Sequence, residues 1–230
     1  MGEKERNLEQ FIKINNDFMA DVDIYSSKEQ FYYFIIKGLA NNLNKSSPIN
    51  IDALAKILGV STHSKNRNAI KDVLNSMEQK KLLLLYEDIQ LTNPISVPEM
   101  KVSGVYYAKL LKAGTGEKGF TKIYYSELMK FINVKDKSKD LLFSIYFNII
   151  HRIYESESSV DYSYVTIERI EKETGINRKT IMSKIAVMME NEILYYEKVS
   201  EGSDKDKNYY CRWEDRKILI NSLQMEREGV

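Results

Sequence analysis

The chain repeats itself, and an internal repeat restricts its folds more than composition does. Phe11-Ile12-Lys13-Ile14 reappears as Phe120-Thr121-Lys122-Ile123, and Phe18-Met19 as Leu128-Met129, at offsets of 109 and 110 residues. Ser27-Lys28-Glu29 ahead of the apolar run 31–39 matches Ser138-Lys139-Asp140 ahead of 142–150 at an offset of 111. Ile51-Asp52-Ala53-Leu54 through Gly59-Val60 then matches Ile167-Glu168-Arg169-Ile170 through Gly175-Ile176 at 116, a jump that a five-residue longer loop in the second copy explains. Asn66-Arg67-Asn68-Ala69-Ile70 and Asn177-Arg178-Lys179-Thr180-Ile181 restore the offset of 111, because the first copy carries five extra residues, Ser61-Thr62-His63-Ser64-Lys65. Leu74, Met77, Leu82 and Leu83 fall on Ile185, Met188, Ile193 and Leu194. Two compensating insertions in a steady register indicate duplication. At 230 residues the chain is long enough for two domains of about 100 residues each.

Each copy reads as three helices and a hairpin. Ser27-x-x-Gln30 has the spacing of a capping box, and Phe31, Phe34, Ile35, Gly38 and Leu39 follow at helical intervals. Asn50 suits the N-cap of a short second helix that turns Ile51, Leu54, Ile57 and Leu58 inward and stops at Gly59; its counterpart starts after Thr166 and stops at Gly175. Asn177 is a candidate cap for the next helix, and Ile181, Ile185 and Met188 give that helix its apolar stripe. Two helices joined by a short glycine-containing turn form a helix-turn-helix. Past the third helix the period shifts towards 2, and segments 193–199 and 209–213 flank the polar stretch 200–208 as a hairpin with a long tip. The first copy offers a shorter hairpin, 82–86 with 89–91 around Glu87-Asp88. Residues 92–118, holding Pro94, Pro98, Gly104, Gly114 and Gly116, read as a linker with room for a strand or short helix across 102–111. In the tail 214–230, Ile218, Leu219 and Leu223 have the spacing of a docking helix.

Candidates for catalysis are absent from this reading. Gly114-x-Gly116-x-x-Gly119 matches the dinucleotide fingerprint formally, but such a loop must open a helix, and Phe120 to Tyr125 reads as a strand. The pair Tyr124-Tyr125 would suit a nicking enzyme only beside a His-x-His metal site, and the two histidines, His63 and His151, are far apart in sequence. Cys211 alternates with Arg212 and Trp213 as a buried small hydrophobe would, and Asp21-x-Asp23 and Asp204-x-Asp206 lack the further ligands of a calcium loop. The expectation is a protein that is not an enzyme and has no cofactor or metal. One cysteine, no long apolar run and an opening Met1-Gly2-Glu3-Lys4-Glu5-Arg6 without signal-peptide character point to a cytoplasmic protein without a membrane partner.

The informative cations lie on the third helices. A net charge of +1 advertises no polyanion partner, so position must carry the inference. Arg178 and Lys179 fall in the first turn of the third helix, where they oppose the macrodipole at about 0.3–1 kcal/mol per exposed charge. A phosphate or a guanine edge would supply the missing acceptor, and the start of a recognition helix is what enters the major groove. The first copy repeats the feature with Arg67 and Lys71, inside a segment, 61–81, of net charge +3. The candidate DNA-contacting residues are therefore Asn177, Arg178, Lys179, Thr180 and Lys184 in the second copy and Lys65, Arg67, Asn68 and Lys71 in the first. Lys205 and Lys207 at the hairpin tip join them.

The segment 165–213 resembles the winged-helix family, and the paired layout over 11–213 resembles tandem winged-helix replication initiators of plasmids and phages. The Phe-x-Lys-Ile segment and the turn Gly175-Ile176-Asn177-Arg178-Lys179-Thr180 are similar to plasmid replication proteins of low-GC bacteria. The resemblance implies an α+β, mainly helical chain of two tandem winged-helix domains, 8–91 and 119–213, with a linker at 92–118 and a tail at 214–230. It implies a sequence-specific binder of double-stranded DNA, acting as a replication initiator or a transcription regulator, with a possible homodimer and possible contacts to the replication or transcription machinery. The five-residue insertion at 61–65 departs from the pattern and would alter helix presentation in the first copy. The other function open at this point is a tandem winged-helix protein-interaction module, condensin-associated or a replisome adaptor, without DNA readout.

Overall fold

The two Phe-x-Lys-Ile segments pair with each other. In the computed structural model, which describes residues 10–153, 161–199 and 207–228, β1 (Phe11–Asn15) runs antiparallel to β6 (Phe120–Tyr124). Alternation turns Ile12, Ile14 and Ile123 into the core and leaves Phe11, Lys13 and Phe120 outside. The chain divides into two compact units, residues 10–140 and residues from 141 onward.

The first unit continues with α1 (Asn16–Ala20), α2 (Ser27–Gly38), β2 (Ser46–Ile49), α3 (Ile51–Ile57), α4 (Ser64–Gln79) and β3 (Leu83–Tyr86). After these come β4 (Pro94–Ile95), a 3-10 turn (Val97–Glu99), β5 (Tyr106–Leu110), β6 and α5 (Tyr125–Asn133). Helix α2 is the core helix: Phe31, Phe34, Ile35 and Ile36 are all buried, and Phe34 meets Phe131 of α5 edge-on at 6.0 Å between ring centres. Gly38 permits that approach, since a Cβ there would sit 2.6 Å from Leu128 Cδ2 and 2.8 Å from Ile12 Cδ1. The capping box lies one residue earlier than Ser27-x-x-Gln30. Ser26 Oγ accepts from the Glu29 amide, and the Glu29 carboxylate accepts from the Ser26 amide at 2.7 Å. Ser27 instead donates to Asp140. Asn50 caps α3 by accepting from the amides of Asp52 and Ala53, and Gly59 follows with φ +71°, as its place at the helix end requires.

Three expectations for this unit need correction. Residues 89–91 are not a strand: Asp88 gathers the amides of Thr92 and Asn93 into a turn, with Leu91 at φ +61°. Strand β3 pairs on one edge with β4, through Leu85 opposite Ile95, and on the other with β5, more remote in sequence, through Leu85 opposite Ala108, in a sheet ordered β2-β5-β3-β4. Residues 92–118 are consequently part of the first unit's sheet rather than a linker. Likewise β6 and α5 belong to this unit and not to a domain beginning at 119, because β6 completes the ribbon with β1 and α5 packs on α2.

The second unit holds α6 (Lys139–Ile150), whose first two residues lie before the division, then β7 (Tyr162–Tyr164), α7 (Ile167–Thr174) and α8 (Arg178–Glu190). It ends with β8 (Leu194–Val199), β9 (Lys207–Arg212), a 3-10 turn (Trp213–Asp215) and α9 (Arg216–Glu228). Thr166 caps α7 through the Arg169 amide, Gly175 ends it at φ +68°, and Asn177 caps α8 through the Thr180 amide at 3.0 Å. Ile181, Ile185 and Met188 are the buried stripe of α8. Leu219 and Leu223 of α9 close over Cys211, whereas Ile218, expected on the same face, is 41% exposed. The antiparallel sheet is ordered β7-β9-β8.

Both units contain, in order, a helix (α2 or α6), a strand (β2 or β7), a helix pair (α3–α4 or α7–α8) and further strands, and the pairing order β2-β5-β3 parallels β7-β9-β8. The class is α+β, with nine α-helices and three small antiparallel sheets among the described residues. No helix among them is long and apolar enough to cross a membrane.

Candidate nucleic-acid interface

Helix α8 starts three residues after Gly175, and that short turn places its first residues beside the start of α7. Asn177 uses its side-chain oxygen on the cap, so it serves the helix first. Arg178 does not wait for an outside anion. Its guanidinium pairs with the Glu168 carboxylate, and its amide donates to Glu171 Oε1 at 3.0 Å. The pair is open to water, 58% and 66% exposed for the two side chains. Hydrogen bonds, including that from Arg178, hold Glu168 below the usual carboxylate range. Lys179 is exposed, Thr180 and Lys184 are half-buried, and Met182 is 55% exposed on the same helix.

The first unit repeats the pairing. Arg67 grips Asp52 of α3 with two bonds, Nε to Oδ1 at 2.7 Å and Nη2 to Oδ2 at 2.8 Å. The hydrogen bond from Arg67 holds Asp52 low, and the same bond raises Arg67. Asp52 and Glu168 are equivalent in the repeat, as are Arg67 and Arg178, so both units tie the start of the third helix to the start of the second. Each arginine thus pairs with a neighbouring acid, as at an ordinary solvated helix end, and that acid lies on the preceding helix, which a charge count along one helix does not register.

The five extra residues of the first copy reach into α4, which begins at Ser64, and Asn66 turns back to Ser61 instead of capping. Lys65 and Asn68 are exposed. Lys71 donates to the Met100 carbonyl, and Lys80 pairs with Glu29, so neither presents a free ammonium. Lys207 stands 5.9 Å from the Tyr164 ring centre on β9, and Lys205, with most of the hairpin tip, lies outside the described residues.

The glycine loop has a use within the fold. Thr115 and Gly116 donate their amides to Asp17 Oδ2 at 2.5 and 2.7 Å, with Thr115 Oγ1 at 2.6 Å, and the chain then enters β6. Burial works to raise the Asp17 pKa, but these bonds outweigh it and hold it low. The donors that would cradle a phosphate hold the protein's own carboxylate. Cys211 is buried, and burial, reinforced by Asp215 and Glu214, pushes its thiol well up.

A second basic surface, which the sequence reading does not single out, lies on the β1–β6 ribbon and the groove beside it, where Lys13, Lys37, Lys45 and Lys112 gather. Its signal was the repeated Phe-x-Lys-Ile itself, whose lysines a ribbon must turn to one face.

No family model matches the chain, and no curated protein is significantly similar to it.

Proposed function

We propose that the chain is a sequence-specific binder of double-stranded DNA built from two winged-helix units, serving as a replication initiator or a transcription regulator. The observation that carries the reading is the start of α8: a solvent-exposed Arg178-Lys179 pair at the head of a helix that follows another across a short glycine turn, with a β-hairpin behind. The matched connectivity of the two sheets supports a duplicated unit. Two units of unlike recognition residues, Arg67-Asn68 and Arg178-Lys179, suit either a dimer on a palindrome or a monomer with an asymmetric footprint.

A protein-interaction module is the second reading, favoured by the internal pairing of both arginines and by the exposed Met182. Fluorescence anisotropy on duplexes from the DNA flanking the gene, at several salt concentrations, separates the two. Replacing Arg178 and Lys179 by Ala weakens binding and flattens the dependence of log K on log salt by about 0.9 for each phosphate no longer neutralised. Glu168→Gln, which frees Arg178, strengthens binding. Unchanged affinity in both variants, or no duplex bound by the wild type at low salt, refutes DNA contact by this helix.

A further inference from the structure

The outer face of the β1–β6 ribbon carries aromatic rings and lysines in alternation. Phe11 and Phe120 are 38% and 46% exposed, and the register sets Lys13 directly opposite Lys122. The Lys122 ammonium stands 5.3 Å from the Phe11 ring centre, so cations and rings alternate across the two strands. The Lys13 ammonium stands 4.6 Å from the Phe120 ring centre and 5.8 Å from that of Phe11.

Beside the ribbon runs an open groove of about 960 Å³, into which Lys13, Lys37, Lys45 and Lys112 project along with Phe11 and Tyr125. Among the described residues no Asp or Glu lines it, and none of these four lysines has an ion-pair partner. Their contacts are neutral: Lys37 lies 5.3 Å over the Tyr33 ring, Lys45 reaches Asn42 Oδ1 at 3.3 Å, and Lys112 reaches the Thr115 carbonyl at 2.7 Å. Lys37 is partly buried, and that burial lowers its pKa, so an anion in the groove would relieve it. A groove that is cationic throughout and flanked by exposed rings fits a ligand bearing both phosphates and flat unpaired bases. A duplex keeps its bases stacked inside and offers these rings nothing, whereas a single strand offers both parts.

We propose that the β1–β6 ribbon and its groove bind single-stranded nucleic acid, with Lys13, Lys37, Lys45 and Lys112 on the phosphates and Phe11 and Phe120 as stacking platforms. The site is distinct from the helix proposed to meet duplex DNA and stands without it.

The test is anisotropy of the full chain with fluorescein-labelled oligothymidylate and oligouridylate across salt concentrations. The wild type is expected to bind at least one of them. The double variant Lys13→Gln/Lys37→Gln, checked for native circular dichroism, should show a salt slope smaller by about 0.7 for each phosphate no longer neutralised. Phe120→Ala should weaken binding by about five-fold or more, the lower bound for removing one base–aromatic stack. The Arg178→Ala/Lys179→Ala variant should bind the single strand as the wild type does, which keeps failure of this site distinct from failure of the duplex reading. Should a ribbon variant fail to fold, photocrosslinking of the wild type to an iodouridine-bearing strand replaces it, with adducts expected in 10–15 or 110–125. No binding of either strand at low salt, unchanged affinity and slope in the folded variants, or adducts confined to other segments overturns the proposal.

Discussion

Glu173 offers the best-determined electrostatic test in the second unit. Its carboxylate accepts from Arg169 Nε at 2.8 Å, from Asn148 Nδ2 at 2.9 Å and from the Arg152 guanidinium. Burial works to raise its pKa, but the bonds from Arg169, Arg152 and Asn148 outweigh it and bring it from 4.5 down to about 2. That interval corresponds to at most about 3 kcal/mol in favour of the folded state. With 33% of the side chain in solvent, screening reduces the contribution to about 1–2 kcal/mol. Because the folded value lies below the unfolded one, the contribution is complete above about pH 4.5 and is lost as the pH falls towards 2. Glu173→Gln removes the charge at nearly constant volume. Urea denaturation at neutral pH should therefore show the variant less stable by about 1–2 kcal/mol, and the gap should shrink by more than half by about pH 3. His151, which burial and then Arg152 hold below its ordinary value, titrates in both proteins and drops largely out of the difference. A gap that is absent at neutral pH, or that persists undiminished in acid, refutes the reasoning.

Three further outcomes are expected. Gly175→Ala, in a left-handed conformation with nothing within 4 Å of the new Cβ, should cost about 1–2 kcal/mol, and Gly59→Ala should cost more, since its Cβ would stand 3.3 Å from the Asp136 carbonyl; thermal melts that reverse this order count against the helix-end assignment. Glu29→Gln keeps an acceptor for the cap but loses the charge facing Lys80, and with the carboxylate 2% exposed the urea midpoint should fall by an amount equivalent to about 2 kcal/mol at unchanged slope. Cys211 should stay unreactive to Ellman's reagent in native protein and react once on unfolding; prompt labelling of the native chain would show the Leu219–Leu223 cover to be open.

What the sequence made legible was local. Asn50, Thr166 and Asn177 cap as their side chains dictate, and Gly59 and Gly175 end helices because a left-handed residue is needed there. The start of α2 was misplaced by one residue because Ser26-x-x-Glu29 and Ser27-x-x-Gln30 satisfy the same local rule; the side chain of Ser27 is taken by Asp140, a contact no local pattern contains. Pairings between distant segments were illegible for the same reason. The repeat exposed Phe11-x-Lys13-Ile14 and Phe120-x-Lys122-Ile123 as equivalents, yet equivalence does not say that two segments lie side by side. The local pattern predicts a tight hairpin partner for β3 at 89–91, whereas the turn built on Asp88 carries the returning strand on to β4 at 94–95, and the longer pairing is with the remote β5.

The candidate site was legible in its cations and not in their partners, and the partners now distinguish the two third helices. A positive charge at a helix N-terminus is unfavourable and a negative one favourable, so an arginine on α8 or α4 bonded to an acid at the head of α7 or α3 turns two opposite dipole effects into one neutral contact. Both units use this device. In α4 it is closed: Arg67 and Asp52 are about two-thirds covered and joined by two bonds, and Lys71 and Lys80 are committed elsewhere. In α8 the pair is mostly in water, where exposed ion pairs contribute about 0–1 kcal/mol, and Lys179 stands exposed beside it. A phosphate could therefore replace Glu168 at small cost, whereas displacing Asp52 would break a two-point grip. The proposed duplex contact accordingly rests on α8, and the same asymmetry leaves α4 suited to holding the first unit together.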